Sequence, residues 1–350
     1  MPRLASVGTS VPAHQVSQDQ ARSFAQRFFG RRFSDIEKRL ELFEHTQIEK
    51  RHICVPVEWF DEPRSFVEKN ATYIHEAQRL GEDAIRACLD GTGFTPRDID
   101  YLVFVSTTGL ATPSIDARLI GRMGMRPDTR RTPIWGLGCA GGVAGLAHAY
   151  HHALGHPNSR TLVLAVELCS LTFHFGDQSK SNLVATALFG DGAAAVLVTG
   201  DDVVANGAEI VDSRSTLFPD SLDVMGWNFE SEGMQVVFSR AIPGIVLREA
   251  EQNIGDFLAS HDLSIRDVEH LITHPGGVKV MEAYEQALSL TNGKLDTARE
   301  ILRDYGNMSS ASVLFVLERY LQTRSPGAGS WGLMTALGPG FSSEQLLLRF

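Results

Sequence analysis

Two stretches of this chain echo each other at nearly one distance. Arg97-Asp98-Ile99-Asp100-Tyr101-Leu102 returns 169 positions later as Arg266-Asp267-Val268-Glu269-His270-Leu271. Cys139 and Asn307, 168 positions apart, each open a run of small residues. Ahead of each Arg-Asp pair the pattern reads as a helix, over 82–88 in one half and 250–259 in the other. Such self-similarity predicts a duplicated α/β unit. The seam is expected near 200–206, dividing the chain into halves 1–203 and 204–350. No low-complexity linker marks that seam, so the halves should pack closely.

Local patterns fill in each half. Ser17-Gln18-Asp19-Gln20 has the form of a capping box, opening a helix with Ala21, Phe24, Ala25 and Phe28 on one face. Helices are expected over 33–44 and 68–80, and from Cys139 to 154. The apolar runs 101–107, 161–166 and 193–198 read as buried strands.

The chemistry concentrates in Gly136-Leu137-Gly138-Cys139-Ala140-Gly141-Gly142, followed far downstream by His274-Pro275-Gly276-Gly277 and Gly306-Asn307-Met308-Ser309-Ser310. A thiol, a base to ionise it and an amide donor to hold an oxyanion are what covalent acyl chemistry requires. The glycines permit a sharp strand-to-helix turn, and a helix N-terminus aimed at the sulfur favours the thiolate. Cys54, Cys88 and Cys169 read as small buried hydrophobes. His148, His151 and His152 lack a carboxylate or Cys at ligand spacing and read as a solvated helix face. Asn307 on its own could equally be a helix N-cap.

A net charge of −10 argues against nucleic acid as a partner. No apolar run reaches the length of a membrane span, and the first residues lack the apolar core of a signal peptide. Four scattered cysteines with no pairing pattern point to a reducing, cytoplasmic setting.

Taken together, Gly138-Cys139, Gly190-Asp191-Gly192, His274-Pro275-Gly276-Gly277, Gly306-Asn307-Met308-Ser309-Ser310 and Gly338-Pro339-Gly340 resemble the type III polyketide synthases, the chalcone synthase superfamily. The resemblance runs over nearly the whole chain and is strongest to bacterial members that make alkylpyrones or alkylresorcinols. It implies a thiolase-like αβαβα fold, a homodimer, no cofactor, and acyl-CoA and malonyl-CoA as substrates. It also implies roles. Cys139 carries the acyl chain, His274 activates the thiol, and His274 with Asn307 stabilises the enolate left when a malonyl thioester loses CO₂. Phe189 matches a gatekeeper aromatic, and Thr172 a cavity threonine.

The departures from the plant pattern bear on specificity. Val236 stands at a second gatekeeper position, Thr112 at the place of a methionine that reaches the partner's cavity, and Trp227 adds bulk where plant enzymes are small. A redistributed wall points to a long aliphatic starter. Arg39 keeps one CoA-phosphate cation while Leu42 and Thr46 occupy two others, which leaves delivery by an acyl carrier protein open. Ser309 either assists through its hydroxyl or only caps and packs. Thr112-Pro113 is expected cis by resemblance and trans by sequence alone.

Three other functions share parts of this pattern. A ketoacyl synthase III performs one condensation with Cys-His-Asn, but its histidine segment reads His-Gln-Ala-Asn. A papain-like hydrolase places its cysteine near the N-terminus inside Cys-Gly-Ser-Cys-Trp, which is absent here. An idle scaffold would not need all three residues.

Overall fold

The structure is a computed structural model describing residues 1–30, 33–230, 232–290 and 293–350. The first half runs β1 (Arg3–Ser10), β2 (His14–Ser17), α1 (Gln18–Phe29), α2 (Ile36–His45), β3 (Lys50–Ile53), α3 (Phe66–Leu89), β4 (Tyr101–Val105), α4 (Ile115–Met123) and β5 (Arg130–Ile134). It continues through α5 (Gly141–Gly155), β6 (Arg160–Leu168), α6 (Lys180–Leu188) and β7 (Asp191–Thr199). The second half opens with β8 (Ala208–Leu217), β9 (Met225–Glu230), β10 (Gly233–Phe238), α7 (Ile242–Ala259), β11 (Val268–Thr273) and α8 (Val278–Ala287). It closes with α9 (Asp296–Tyr305), α10 (Ser312–Thr323), β12 (Trp331–Gly338) and β13 (Ser342–Arg349).

The duplication is visible in strand order. One half reads β1-β7-β6-β4-β5 and the other β8-β13-β12-β11. In both, two antiparallel pairings are followed by a parallel one. The halves meet at the pairs Arg3–Glu209 and Leu4–Ala208. Helices α5 and α10 touch each other and strands of both halves, which makes them the middle layer. Helix α3 covers β1, β6 and β7 from outside, while α7 and α8 bury Val246, Ile254, Phe257 and Met281 in one core with Leu333, Leu346 and Leu347. The result is the five-layered, thiolase-like αβαβα arrangement.

Local sequence explains the repeated features. Thr95 and Asp98 form a capping box before β4, and Ser264 and Asp267 form its counterpart before β11. Ser17 caps α1 as its sequence requires, although Phe29 rather than Phe28 is fully buried. The expected helices 68–80 and 82–88 are one continuous helix, α3, capped by Ser65 and Glu68. Its apolar face continues through Leu80, Ala84, Ile85 and Cys88, so no break falls at Gly81.

One register differs from expectation. Short 3₁₀ turns precede α5 and α10, over Gly138–Ala140 and Ser309–Ala311, which lie 171 positions apart. Their first residues share a left-handed backbone, with φ 48° at Gly138 and 49° at Ser309. The counterpart of Cys139 is therefore Ser310, and Asn307 lies ahead of the turn. Only glycine suits position 138, because a Cβ there would sit 2.7 Å from Pro339 Cδ.

Candidate active site

Cys139, His274 and Asn307 line one cavity of about 460 Å³. Three elements deliver them. The 3₁₀ turn before α5 carries Cys139, the segment after β11 carries His274, and the loop between α9 and the second 3₁₀ turn carries Asn307. Cys139 is 7% exposed and His274 5%. The backbone of His274 is tied to Thr335 O at 2.9 Å, while both of its ring nitrogens are without a hydrogen-bond partner. Cys139 Sγ lies 3.7 Å from Ser309 Oγ. Asn307 Nδ2 donates to Gly276 O at 3.3 Å, and its Oδ1 accepts from Ser309 N at 2.8 Å. Asn307 is thus not the N-cap of α10.

Burial acts on both titratable groups. It pushes the Cys139 thiol up to about 12 and the His274 imidazole down to about 3. Taken singly, each group is neutral at pH 7, burial working against the thiolate that a helix N-terminus favours. Transfer of the thiol proton to the imidazole creates both charges together, and each then stabilises the other.

The backbone of Asn307 is locked to the end of α6. Its N–H donates to Leu188 O at 2.8 Å, and its carbonyl accepts from Gly190 N at 3.0 Å. Phe189 lies between those two positions, 5.6 Å from the Phe238 ring and 6.4 Å from the Trp227 ring, centroid to centroid. On its other side Phe189 joins Val16, Phe24, Ile53, Phe60, Thr172 and Ala185 around a narrow chamber of about 80 Å³. Thr172 donates to Cys169 O at 2.7 Å.

The remaining sequence candidates fall elsewhere. Val236 packs against Cys169, Ala185 and Phe189 and lines neither cavity. Phe238, two positions later on the same face of β10, lines the cavity of Cys139 instead. Thr112 lines a separate surface depression with Leu110 and Trp135, and Thr112–Pro113 is cis. Arg39 pairs with Asp35 at 2.7 Å and stacks on Phe33 at 4.1 Å, away from the cavity lining. Leu42 packs into the core, and Thr46 Oγ1 accepts from Gln18 Nε2 at 2.7 Å.

Sequence reasoning missed several residues. Arg51, buried, donates to Thr186 O, Ala187 O and Phe189 O and so clamps the C-terminal end of α6. Asp191 accepts from Cys54 N, Ser170 N and Ser170 Oγ, which fixes the Cys169–Thr172 turn. Behind Cys139, fully buried Glu167 accepts from Thr107 N, Thr108 Oγ1 and Ser310 Oγ. Lys180, Arg240 and Lys279 line the cavity of Cys139.

A thiol, a neutral base and an amide donor around one enclosed space suit covalent acyl transfer with a stabilised oxyanion. Comparison with known proteins identifies the setting. The profile of chalcone and stilbene synthases, N-terminal domain, matches residues 2–202, and that of the C-terminal domain matches residues 209–350. The chain belongs to the chalcone and stilbene synthase family.

Similar proteins include several from bacteria. A Bacillus subtilis (strain 168) protein whose chalcone synthase name is provisional is 44% identical, over 99% of this chain and 98% of its own. The 1,3,6,8-tetrahydroxynaphthalene synthase of Streptomyces peucetius subsp. caesius is 41% identical, over 99% and 93%. The crystal structure of the Streptomyces coelicolor A3(2) enzyme of that name superposes with a TM-score of 0.95, at 30% identity and 99% coverage of both chains. The chain is therefore a type III polyketide synthase of the chalcone synthase family, an acyltransferase acting without a cofactor on CoA thioesters and condensing malonyl units iteratively. Among the described residues no cluster of three or more His, Cys, Asp or Glu could hold a metal, and no helix is long and apolar enough to cross a membrane.

Proposed function

We propose that this synthase loads an aliphatic acyl starter onto Cys139, extends it with malonyl units and releases a cyclised alkylpyrone or alkylresorcinol. The division of labour follows the two halves, with 1–203 supplying the nucleophile and 204–350 the histidine and asparagine. His274 takes the thiol proton as Cys139 attacks the starter thioester, and the CoA thiol leaves. In extension, the malonyl carboxylate departs as CO₂, and its electron pair becomes an enolate whose oxygen faces the donors of His274 and Asn307. The enolate carbon attacks the acyl-Cys139 thioester and frees the sulfur for the next round.

The observation that carries the starter assignment is the chamber beyond Phe189, walled mainly by apolar side chains. Phe189 lines this chamber, and its chain neighbour Leu188 lines the cavity of Cys139. An alkyl chain gains about 0.8 kcal/mol for each methylene buried there. A second reading has its own support. A tetrahydroxynaphthalene, the product in a 41% identical relative's name, needs only two-carbon units and no alkyl starter.

The test is product mass spectrometry with malonyl-CoA and acyl-CoAs of graded length. Triketide and tetraketide products peaking at long starters support the proposal. A hydroxylated naphthalene from malonyl-CoA alone, with no alkylated product, overturns it. A single condensation product moves the chain to ketoacyl synthase chemistry.

The Thr112 depression supports a homodimer. Leu110, Trp135 and Phe229 are exposed around it, with the rings of Trp135 and Phe229 5.8 Å apart. Contiguous apolar surface of this kind marks a protein interface. The same reading places the enzyme in the cytoplasm, and carrier-protein delivery of the starter stays compatible with the open cavity mouth.

A further inference from the structure

The cavity of Cys139 contrasts with the chain that surrounds it. The sequence holds 42 acidic and 32 basic side chains, yet the cavity lining includes Lys180, Arg240 and Lys279 and no Asp or Glu. All three cations are exposed at its mouth, and each stands at the start of a different helix. Lys180 is the first residue of α6, Arg240 immediately precedes the N-cap of α7, and Lys279 is the second residue of α8.

That placement runs against helix electrostatics. A helix N-terminus carries a partial positive charge and favours a carboxylate in its first turn, by about 0.3–1 kcal/mol. Helices α1, α2, α3, α4 and α9 follow the rule with Asp19, Glu37, Glu68, Asp116 and Asp296. At the mouth, α6, α7 and α8 have no acid in the first turn and a cation beside it. Three helix ends and three cations therefore converge on one opening; Asp177 bonds to the N-cap Ser179 of α6, but among the described residues none of the three cations is ion-paired. Deeper in the same cavity, His274 is 5% exposed with both ring nitrogens unpartnered. Such an arrangement is complementary to a phosphorylated ligand whose other end reaches the thiol.

We infer that Lys180, Arg240 and Lys279 grip the phosphate of the thioester carrier, in place of Arg39 on α2. The inference rests on the polyketide synthase reading and adds to it the recognition of the carrier. The chemistry recognised is a phosphate ester at the far end of a pantetheine arm, whether that arm belongs to CoA or to a carrier protein.

The experiment measures KM for three malonyl thioesters: the CoA form, the phosphopantetheine form and the phosphate-free N-acetylcysteamine form. Variants are Lys180→Ala, Arg240→Ala and Lys279→Ala, with Arg39→Ala as rival and exposed Arg248→Ala as control. The readout is the ratio of KM for each phosphorylated thioester to KM for the phosphate-free one. Each mouth variant should raise it about threefold to tenfold, and the effect should shrink in high salt. A rise for both phosphorylated forms places the grip on the phosphate shared with carrier proteins. A rise for the CoA form alone places it on the nucleotide end and overturns the grip on that shared phosphate. An unchanged ratio, or one that moves only in Arg39→Ala, overturns it. Failure of the wild type to turn over any of the three would instead remove the synthase reading itself.

Discussion

Cys139 and His274 share a space where burial opposes charge on either of them alone. In the proposed mechanism the pair ionises by internal proton transfer, and its reactivity should depend little on bulk pH. In the wild type, the rate of iodoacetamide alkylation at Cys139 is expected to be nearly flat from pH 5 to 8. In His274→Gln the base is gone and the thiol keeps its burial-raised pKa of about 12, so the rate should climb about tenfold per pH unit. Equal slopes in the two proteins would contradict the pairing. The same burial has a stability consequence. With a folded pKa of about 3 against an ordinary 6.5, neutral His274 contributes stability that is complete above pH 6.5 and lost as pH falls toward 3. Urea midpoints compared at pH 7.5 and 4.5 should fall less in His274→Gln than in the wild type. In the proposed mechanism Asn307 serves the oxyanion. Asn307→Ala should slow malonyl decarboxylation about 10²–10³-fold while leaving acylation of Cys139 nearer normal, measured as CO₂ release and acyl-enzyme formation.

Helix α6 shows how one element couples fold to site. Its last carbonyls end on Arg51, its C-terminal residue Leu188 accepts from Asn307 N, and Phe189 follows directly. Arg51→Met would remove a donor from the carbonyls of Thr186 and Phe189, with only Ala187 O keeping a bond from Gln18 Nε2, at a cost of about 2–3 kcal/mol. A lower urea midpoint together with an altered starter-length preference would show that the clamp also holds the gate. An altered midpoint alone would make Arg51 purely structural. At this scale the sequence was legible where the signal is local. The capping box at Ser17 is contained in four residues, and those at Thr95 and Ser264, found in the structure, include the Asp98 and Asp267 of the repeated stretches. The cations of the mouth were not legible, because Lys180, Arg240 and Lys279 come from distant segments whose helix starts are brought together only by the tertiary fold. Arg51 was hidden for the same reason, since the carbonyls it serves lie more than 130 positions away.

Across the whole molecule the duplication was readable and its register was not. Arg97 and Arg266 sit 169 positions apart, but the 3₁₀ turns sit 171 apart, so residues accumulated between them shift Ser310 into the place of Cys139. Small-residue runs look alike in sequence, and only the left-handed residues Gly138 and Ser309 fix which positions correspond. The cavity wall was hidden in a related way. Val236 faces Phe189 from a strand whose next inward residue, Phe238, supplies the bulk that substitution at 236 removes. The exposed apolar surface at Trp135 and Phe229, 43% and 60% accessible, belongs to this scale too. Trp135→Ser with Phe229→Ser should shift the protein from dimer to monomer in light scattering. A wild type that is already monomeric would contradict the dimer.

The central claim is that Cys139 carries the growing acyl chain. Intact-protein mass spectrometry after mixing the enzyme with a long-chain acyl-CoA tests it most directly. The account predicts one acyl group per chain, located on Cys139, absent in Cys139→Ala, and discharged as extended product when malonyl-CoA is added. An acyl group found elsewhere, or product formed at wild-type rate by Cys139→Ala, would contradict it.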